Sequence, residues 1–430
     1  MRNVNPLRLD IEALIDDRRN RIIVCCGSGG VGKTTAAAAI GLRAAERGRH
    51  VVVLTVDPAR RLAQSMGLTS LDNTPRPVPF AARPHGSRGH LTEGHSGDVG
   101  GGSMHAMMLD MKRTFDEIVE AHADPDRAAQ ILANPFYQSL SSSFAGTQEY
   151  MAMEKLGQLR RADEWDLIVV DTPPSRSALD FLDAPQRLGR FLDGKLLRLL
   201  TAPAKLGGRA YLKVLNAGFG VVTGVLTKVL GGQVLKDVQT FVSALDTMFG
   251  GFRERADYTY QLLRAQGTAF LVIAAPEPDA LREASYFVER LAQEGMPLAG
   301  LMLNRVHRSP AARLSAARSL AAAETLQGID EQAGTGSGPA PGEQAAGSSA
   351  AAGHAPGRGP AHSLVIAALR LHAERMQLAA TERRMTEHFT AAHPLVPITE
   401  VPAQPDDVHD LAGLRIIGQS FRADQGQAAG

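Results

Sequence analysis

Residues 21–35 read RIIVCCGSGGVGKTT, and the fold follows from this stretch. Ile22-Ile23-Val24-Cys25-Cys26 is an apolar run of the length expected of a strand buried on both faces. Gly27-Ser28-Gly29-Gly30-Val31-Gly32-Lys33-Thr34 satisfies the G-x-x-x-x-G-K-[ST] phosphate loop. The alanine-rich segment that follows has strong helix propensity and reaches Gly48, a natural helix stop. A second β-branched run, 50–56, ends at Asp57-Pro58. Strand, phosphate loop, helix and strand in that order predict a parallel crossover with a triphosphate seated at the helix N-terminus.

Further out, apolar runs at 104–109, 167–170, 268–275, 297–303 and 395–401 are separated by segments long enough for helices. Such alternation predicts an α/β fold with a doubly wound, mostly parallel sheet. We divide the chain into an N-terminal segment (1–20) and a first part of the core (21–186) carrying a Gly/His-rich loop at 83–103. A helical subdomain (187–266), a second part of the core (267–327) and a Gly/Ala/Pro linker expected to be disordered (328–362) follow. The chain ends in a helix, strand and helix (363–422) and a short tail (423–430). Helices are expected near 311–325 and 363–388.

Composition narrows the function. The 430 residues carry 46 Lys+Arg against 45 Asp+Glu, a net charge of +1, so nothing global favours nucleic acid. The two cysteines, Cys25 and Cys26, are adjacent, which excludes a disulfide framework and a CxxC zinc or redox site. The N-terminus lacks the apolar core of a secretory signal, and the run 214–227 is too short to span a bilayer. We expect a soluble, cytoplasmic protein.

Each chemical residue type has its reason. Backbone N–H groups of Gly29, Gly30, Val31, Gly32, Lys33, Thr34 and Thr35 would line the phosphates. Lys33 would reach the β- and γ-phosphates, and the Thr34 hydroxyl would ligate Mg²⁺. Leu167-Ile168-Val169-Val170-Asp171 has the form of a Walker B strand whose carboxylate acts on the same ion. Asp57 ends its own strand beside the loop, where a carboxylate can orient or deprotonate the attacking water. His85, His90 and His95 lie in an irregular loop without the spacing of a metal site, and Trp165 reads as a packed aromatic.

The segments GSGGVGKTT, DPARRLAQSMG, GTQEYMAMEKL and VVDTPPSRSALDFL, in that order, resemble the arsenical-pump and tail-anchored-protein-targeting ATPases, the anion-transporting ATPase family, in the manner of its actinobacterial-type members. The resemblance implies Mg²⁺-dependent ATP hydrolysis by a nucleotide-switched dimer. It makes Asp57-Pro58-Ala59 switch I and Asp171-Thr172-Pro173-Pro174 switch II. Glu277 in AAPEPDAL and Asn304 in LMLNRV match nucleotide base- and ribose-side contacts, and Val401-Pro402 lies near the adenine.

Ser28 departs from the family pattern, which has there a lysine that crosses the dimer interface to the partner's phosphates. A cation supplied in trans is worth about 10³–10⁵ in rate. A heterodimer with a paralogous subunit that retains the lysine is therefore expected, or a substitute among Arg60, Arg61 and Arg176. Without a cysteine cluster there is no arsenite site, and without CxxC no zinc-pinned dimer. The apolar, basic stretch 187–236 would serve either a hydrophobic or membrane-protein client or internal helix packing. Two rival readings are a client-targeting factor with little net catalysis and a partitioning or positioning ATPase. The latter would need nonspecific DNA binding with a steep salt dependence.

Overall fold

Five consecutive buried residues, Ile22 to Cys26, form the central strand β1 (Ile22–Cys26), a pattern possible only where both faces of a sheet are covered. A computed structural model describes residues 7–56, 61–80, 101–134, 137–138, 147–173, 254–335 and 358–421. Around β1 lie β2 (His50–Thr55), β3 (Arg76–Pro77), β4 (Ser103–Met108), β5 (Leu167–Asp171), β6 (Thr268–Ala274), β7 (Leu298–Val306) and β8 (Ile398–Pro402). They form one eight-stranded sheet in the order β3-β4-β2-β5-β1-β6-β7-β8. Every neighbouring pair is parallel except the short edge pair β3–β4. The α/β, doubly wound sheet is therefore present.

The described helices are α1 (Ile11–Asp16), α2 (Lys33–Glu46), α3 (Arg61–Ser65), α4 (Met111–His122), α5 (Pro125–Leu132) and α6 (Thr147–Ala162), then an unlabelled helix over 254–264. They continue with α7 (Pro278–Gln293), α8 (Ala316–Thr335), α9 (Arg358–Ala392) and α10 (Leu411–Ser420). The run of small side chains Ala36 to Ala39 is buried and lets α2 lie close to the sheet. At Gly41 a Cβ would come 2.5 Å from Val53 Cγ2, so helix and strand almost touch there. Beneath the opposite end of the sheet, the buried Arg49 guanidinium donates to the carbonyls of Ile15 (2.7 Å), Asp166 (2.6 Å) and Asn20. These bonds satisfy one carbonyl in the last turn of α1 and two loop carbonyls that burial would otherwise leave orphaned. Trp165 packs against His105 with ring centroids 4.8 Å apart.

Topology places the site. The chain leaves β1 toward β2 on one side, and leaves β5 toward β6 on the other. Loops after β1 and β5 therefore diverge and open a crevice at the carboxyl ends of the strands.

The expected helix near 311–325 runs instead to Thr335, and the one near 363–388 begins at Arg358 and ends at Ala392. Both extend into the stretch read as a linker, because they pack side by side as an antiparallel pair in which Arg370 meets Gln327 at 2.6 Å. Residues 336–357, the Gly/His-rich loop from 83 to 100, the segment 174–253 and the end beyond 421 lie outside the described residues; the last residue expected in that loop, Ser103, instead opens β4. So do His85, His90 and His95, the client stretch 187–236, and all of the helical subdomain before 254. Among the described residues, no helix is long and apolar enough to cross a membrane.

Candidate functional site

Helix α2 begins without a side-chain cap. Its N-cap is Gly32, in the left-handed region at φ 92°, ψ 28°. The first-turn N–H groups, which have no partner within the helix, point into the crevice together with the positive end of the helix dipole. Lys33 is the first helical residue, and its aliphatic stem is buried. Its Nζ donates back to the Ser28 carbonyl at 2.8 Å, so the ammonium lies over the loop that would hold the phosphates.

Asp171 ends β5 and is fully buried. Its register partners are Cys25 on β1 and Thr55 on β2, which sets the carboxylate between the root of the phosphate loop and the strand leading to Asp57. Thr34 Oγ1 donates to Asp171 Oδ2 at 2.7 Å, and Thr55 Oγ1 donates to the same oxygen at 2.9 Å. Val56 N–H donates to the Asp171 carbonyl (3.0 Å), and the Thr172 hydroxyl donates to the Cys25 carbonyl (2.9 Å). A hydroxyl and a carboxylate, both hard oxygen donors, thus meet beside a phosphate-binding helix end. That donor set suits Mg²⁺.

Asn304, near the end of β7, is brought to the same loop across β6. Its Nδ2 donates to the Val31 carbonyl at 2.8 Å. A Cβ on Gly32 would fall 2.3 Å from that nitrogen, so only glycine admits the side chain. Glu277 is exposed and is the N-cap residue of α7, its carbonyl accepting from Leu281 N–H at 3.0 Å while its side chain makes no capping hydrogen bond. It stands at the same carboxyl end of the sheet, after β6, and its side chain makes no hydrogen bond to the phosphate loop. Val401 and Pro402 end β8, two strands beyond β6.

The structure therefore brings together Gly29, Gly30, Val31, Gly32, Lys33, Thr34, Thr35, Asp171 and Asn304. Asp57, Arg60, the side chain of Arg61 and Arg176 lie outside the described residues. Sequence reading missed Thr55, and named Thr172 only as part of switch II, without its bond to the Cys25 carbonyl. The available signals were a threonine near the end of the β-branched run 50–56 and the hydroxyl residue directly after Asp171.

The anion-transporting ATPase family model matches residues 20–332, which takes in the phosphate loop, Asp171 and Asn304. The chain belongs to the anion-transporting ATPase family. Within this family its enzyme class is that of an ATP hydrolase. It is similar to the ATPase GET3 of Malassezia globosa, 26% identical over 182 residues, or 42% of this chain and 47% of that protein. It is also similar to the ATPase GET3 of Chaetomium globosum, at 23% over 297 residues, and of Ajellomyces dermatitidis, at 22% over 298. Each of these two matches covers 69% of this chain and 76% of the relative. The chain thus spans about half the length of the first relative and three quarters of the other two.

Proposed function

We propose that this anion-transporting ATPase family member hydrolyses ATP with Mg²⁺ and uses the cycle to switch a dimer that handles a client. The observation that carries the reading is the convergence of the Lys33 ammonium, the Thr34 hydroxyl and the Asp171 carboxylate at the N-terminus of α2. When bound, Mg²⁺ neutralises developing charge on the phosphates. Thr34 and Asp171 are the residues that would hold it, and Lys33 would leave the Ser28 carbonyl for the phosphate oxygens. Asp57 would orient the attacking water. Because phosphoryl transfer depends mainly on positioning and electrostatics, closure of two subunits over the crevice is a natural gate.

Ser28 supports a heterodimer over a homodimer, since two copies of this chain would both lack the lysine donated in trans. The resemblance to the tail-anchored-protein-targeting ATPases favours a hydrophobic, membrane-protein client, with 187–236 as the contact stretch, and a cytoplasmic setting. Phosphate release by the purified chain, alone and with a lysine-bearing paralogue, tests the reading. We expect Mg²⁺-dependent turnover that rises on mixing and is abolished by Lys33→Ala. Absence of adenine-nucleotide binding by calorimetry under both conditions overturns it. Capture on an Asp57→Asn variant with and without ATP would identify the companion and client; a nucleotide-independent set would remove the client-handling part.

A further inference from the structure

Asp171 Oδ2 accepts two hydroxyl protons at once, from Thr34 at 2.7 Å and from Thr55 at 2.9 Å. The two donors reach it from different parts of the sheet. Thr34 lies in the first turn of α2, whereas Thr55 is the last residue of β2 and is 1% exposed. Thr55 is also the residue registered directly against Asp171 across the β2–β5 ladder, and its own carbonyl accepts from Leu109 N–H at 2.9 Å. Strand pairing thus fixes the backbone of Thr55 on both sides, and the hydroxyl is a rigid donor rather than a mobile one.

From this arrangement we infer that Thr55 is a positioning residue for the divalent-cation site: it locks the rotamer of Asp171 and, through it, the direction of the Thr34 hydroxyl. This inference rests on the Mg²⁺-ATPase reading. A carboxylate oxygen that already holds the Thr34 proton leaves the lone pairs of Thr34 Oγ1 directed away from Asp171, toward the crevice. Were Asp171 free to rotate about its side-chain torsions, that proton could be given to other acceptors and the lone-pair direction would be lost. Thr55 removes this freedom without entering the crevice. It also ties the carboxylate to the end of β2. A donor to a buried charged acceptor is worth about tenfold or more in an equilibrium constant.

The test is Mn²⁺ binding to the full chain at saturating ADP, read by electron paramagnetic resonance. ADP affinity in EDTA is measured in parallel by calorimetry. Thr55→Val keeps the shape and removes the hydroxyl. We expect about tenfold weaker Mn²⁺ binding, with metal-free ADP affinity within about twofold, and Thr55→Ser restored to the native value. Unchanged Mn²⁺ affinity in Thr55→Val overturns the inference, as does an equal loss of metal-free ADP affinity or a tenfold loss in Thr55→Ser. If Thr55→Val does not fold, Thr55→Ala carries the same measurement. Misfolding of both makes the hydroxyl a folding requirement and also overturns the inference. Failure of the native chain to bind ADP or Mn²⁺ would instead sink the ATPase reading.

Discussion

Gly27, the residue at which β1 becomes the phosphate loop, offers the sharpest stability test. Its φ is 149°, and a Cβ there would sit 2.0 Å from the Ile273 carbonyl oxygen and 3.1 Å from its carbon. Ordinary carbon–oxygen contact is about 3.3 Å, so roughly 1.3 Å of movement is required. The obstacle is backbone, not a side-chain tip. Strand β6 is held by ladders to β1 on one side and β7 on the other, Ile273 pairing with Met302. Overpacking of this kind costs about 1–3 kcal/mol, and an unfavourable backbone conformation a similar amount, so Gly27→Ala should destabilise the chain by about 3–5 kcal/mol. Gly30→Ala is the control. Its φ is 77°, but nothing lies within 4 Å of the added carbon. It should cost only the left-handed penalty, about 1–2 kcal/mol. Urea unfolding followed by the fluorescence of the single tryptophan, the buried Trp165, measures both. If the two variants unfold at the same urea concentration, the clash carries no weight and the account of Gly27 is wrong.

Three further outcomes are expected. Glu154, 2% exposed at its side chain, accepts from Arg255 Nε at 3.0 Å and Arg161 Nη2 at 3.3 Å, tying the 254–264 helix to α6. Glu154→Ala should cost about 1.5–3 kcal/mol in urea unfolding by removing a buried charged acceptor from the half-buried Arg255, which keeps its contact with His122 Nε2 at 3.2 Å, and a loss under 1 kcal/mol would refute the pairing. Burial pushes the Cys26 thiol up to about 12 and Cys25 well above its ordinary value, so the folded state keeps protons that the unfolded state sheds from about pH 9. Stability should be full below pH 9 and fall as pH rises from 9 toward 12, by up to about 1.4 kcal/mol per unit for each thiol. A Cys25→Ala, Cys26→Ala double variant should show a shallower decline, and an unchanged slope would count against it. The buried Glu382 on α9 receives both His307 N–H (2.8 Å) and Nδ1 (2.6 Å), which pins the chain just after β7. Glu382→Ala should raise hydrogen exchange at the His307 amide about tenfold or more; native-like protection there would dismiss the clamp.

Much of this arrangement was legible in the residues themselves. The strand–loop–helix reading of 21–47 holds because its signals are local: a buried apolar run, a glycine-rich turn and an alanine-rich helix each report their own backbone. The remaining long strands announced themselves the same way. The edge strand β3 did not, since two residues containing a proline have no periodicity to read. Helix ends at Thr335 and Arg358 were misjudged because pairing of α8 with α9 outweighs the weak composition signal of Gly and Ala near their tips.

By itself the sequence determined that a triphosphate loop follows a buried strand and that Asp171 closes another. Chain chemistry fixes both within a few residues. Only the tertiary structure decided that Thr55 and Thr34 share one carboxylate oxygen, and that Asn304 holds the Val31 carbonyl from 273 residues away. Such contacts depend on strand order and register, which set which strand ends lie side by side. No local pattern encodes that adjacency, because it arises from how all eight strands fit together.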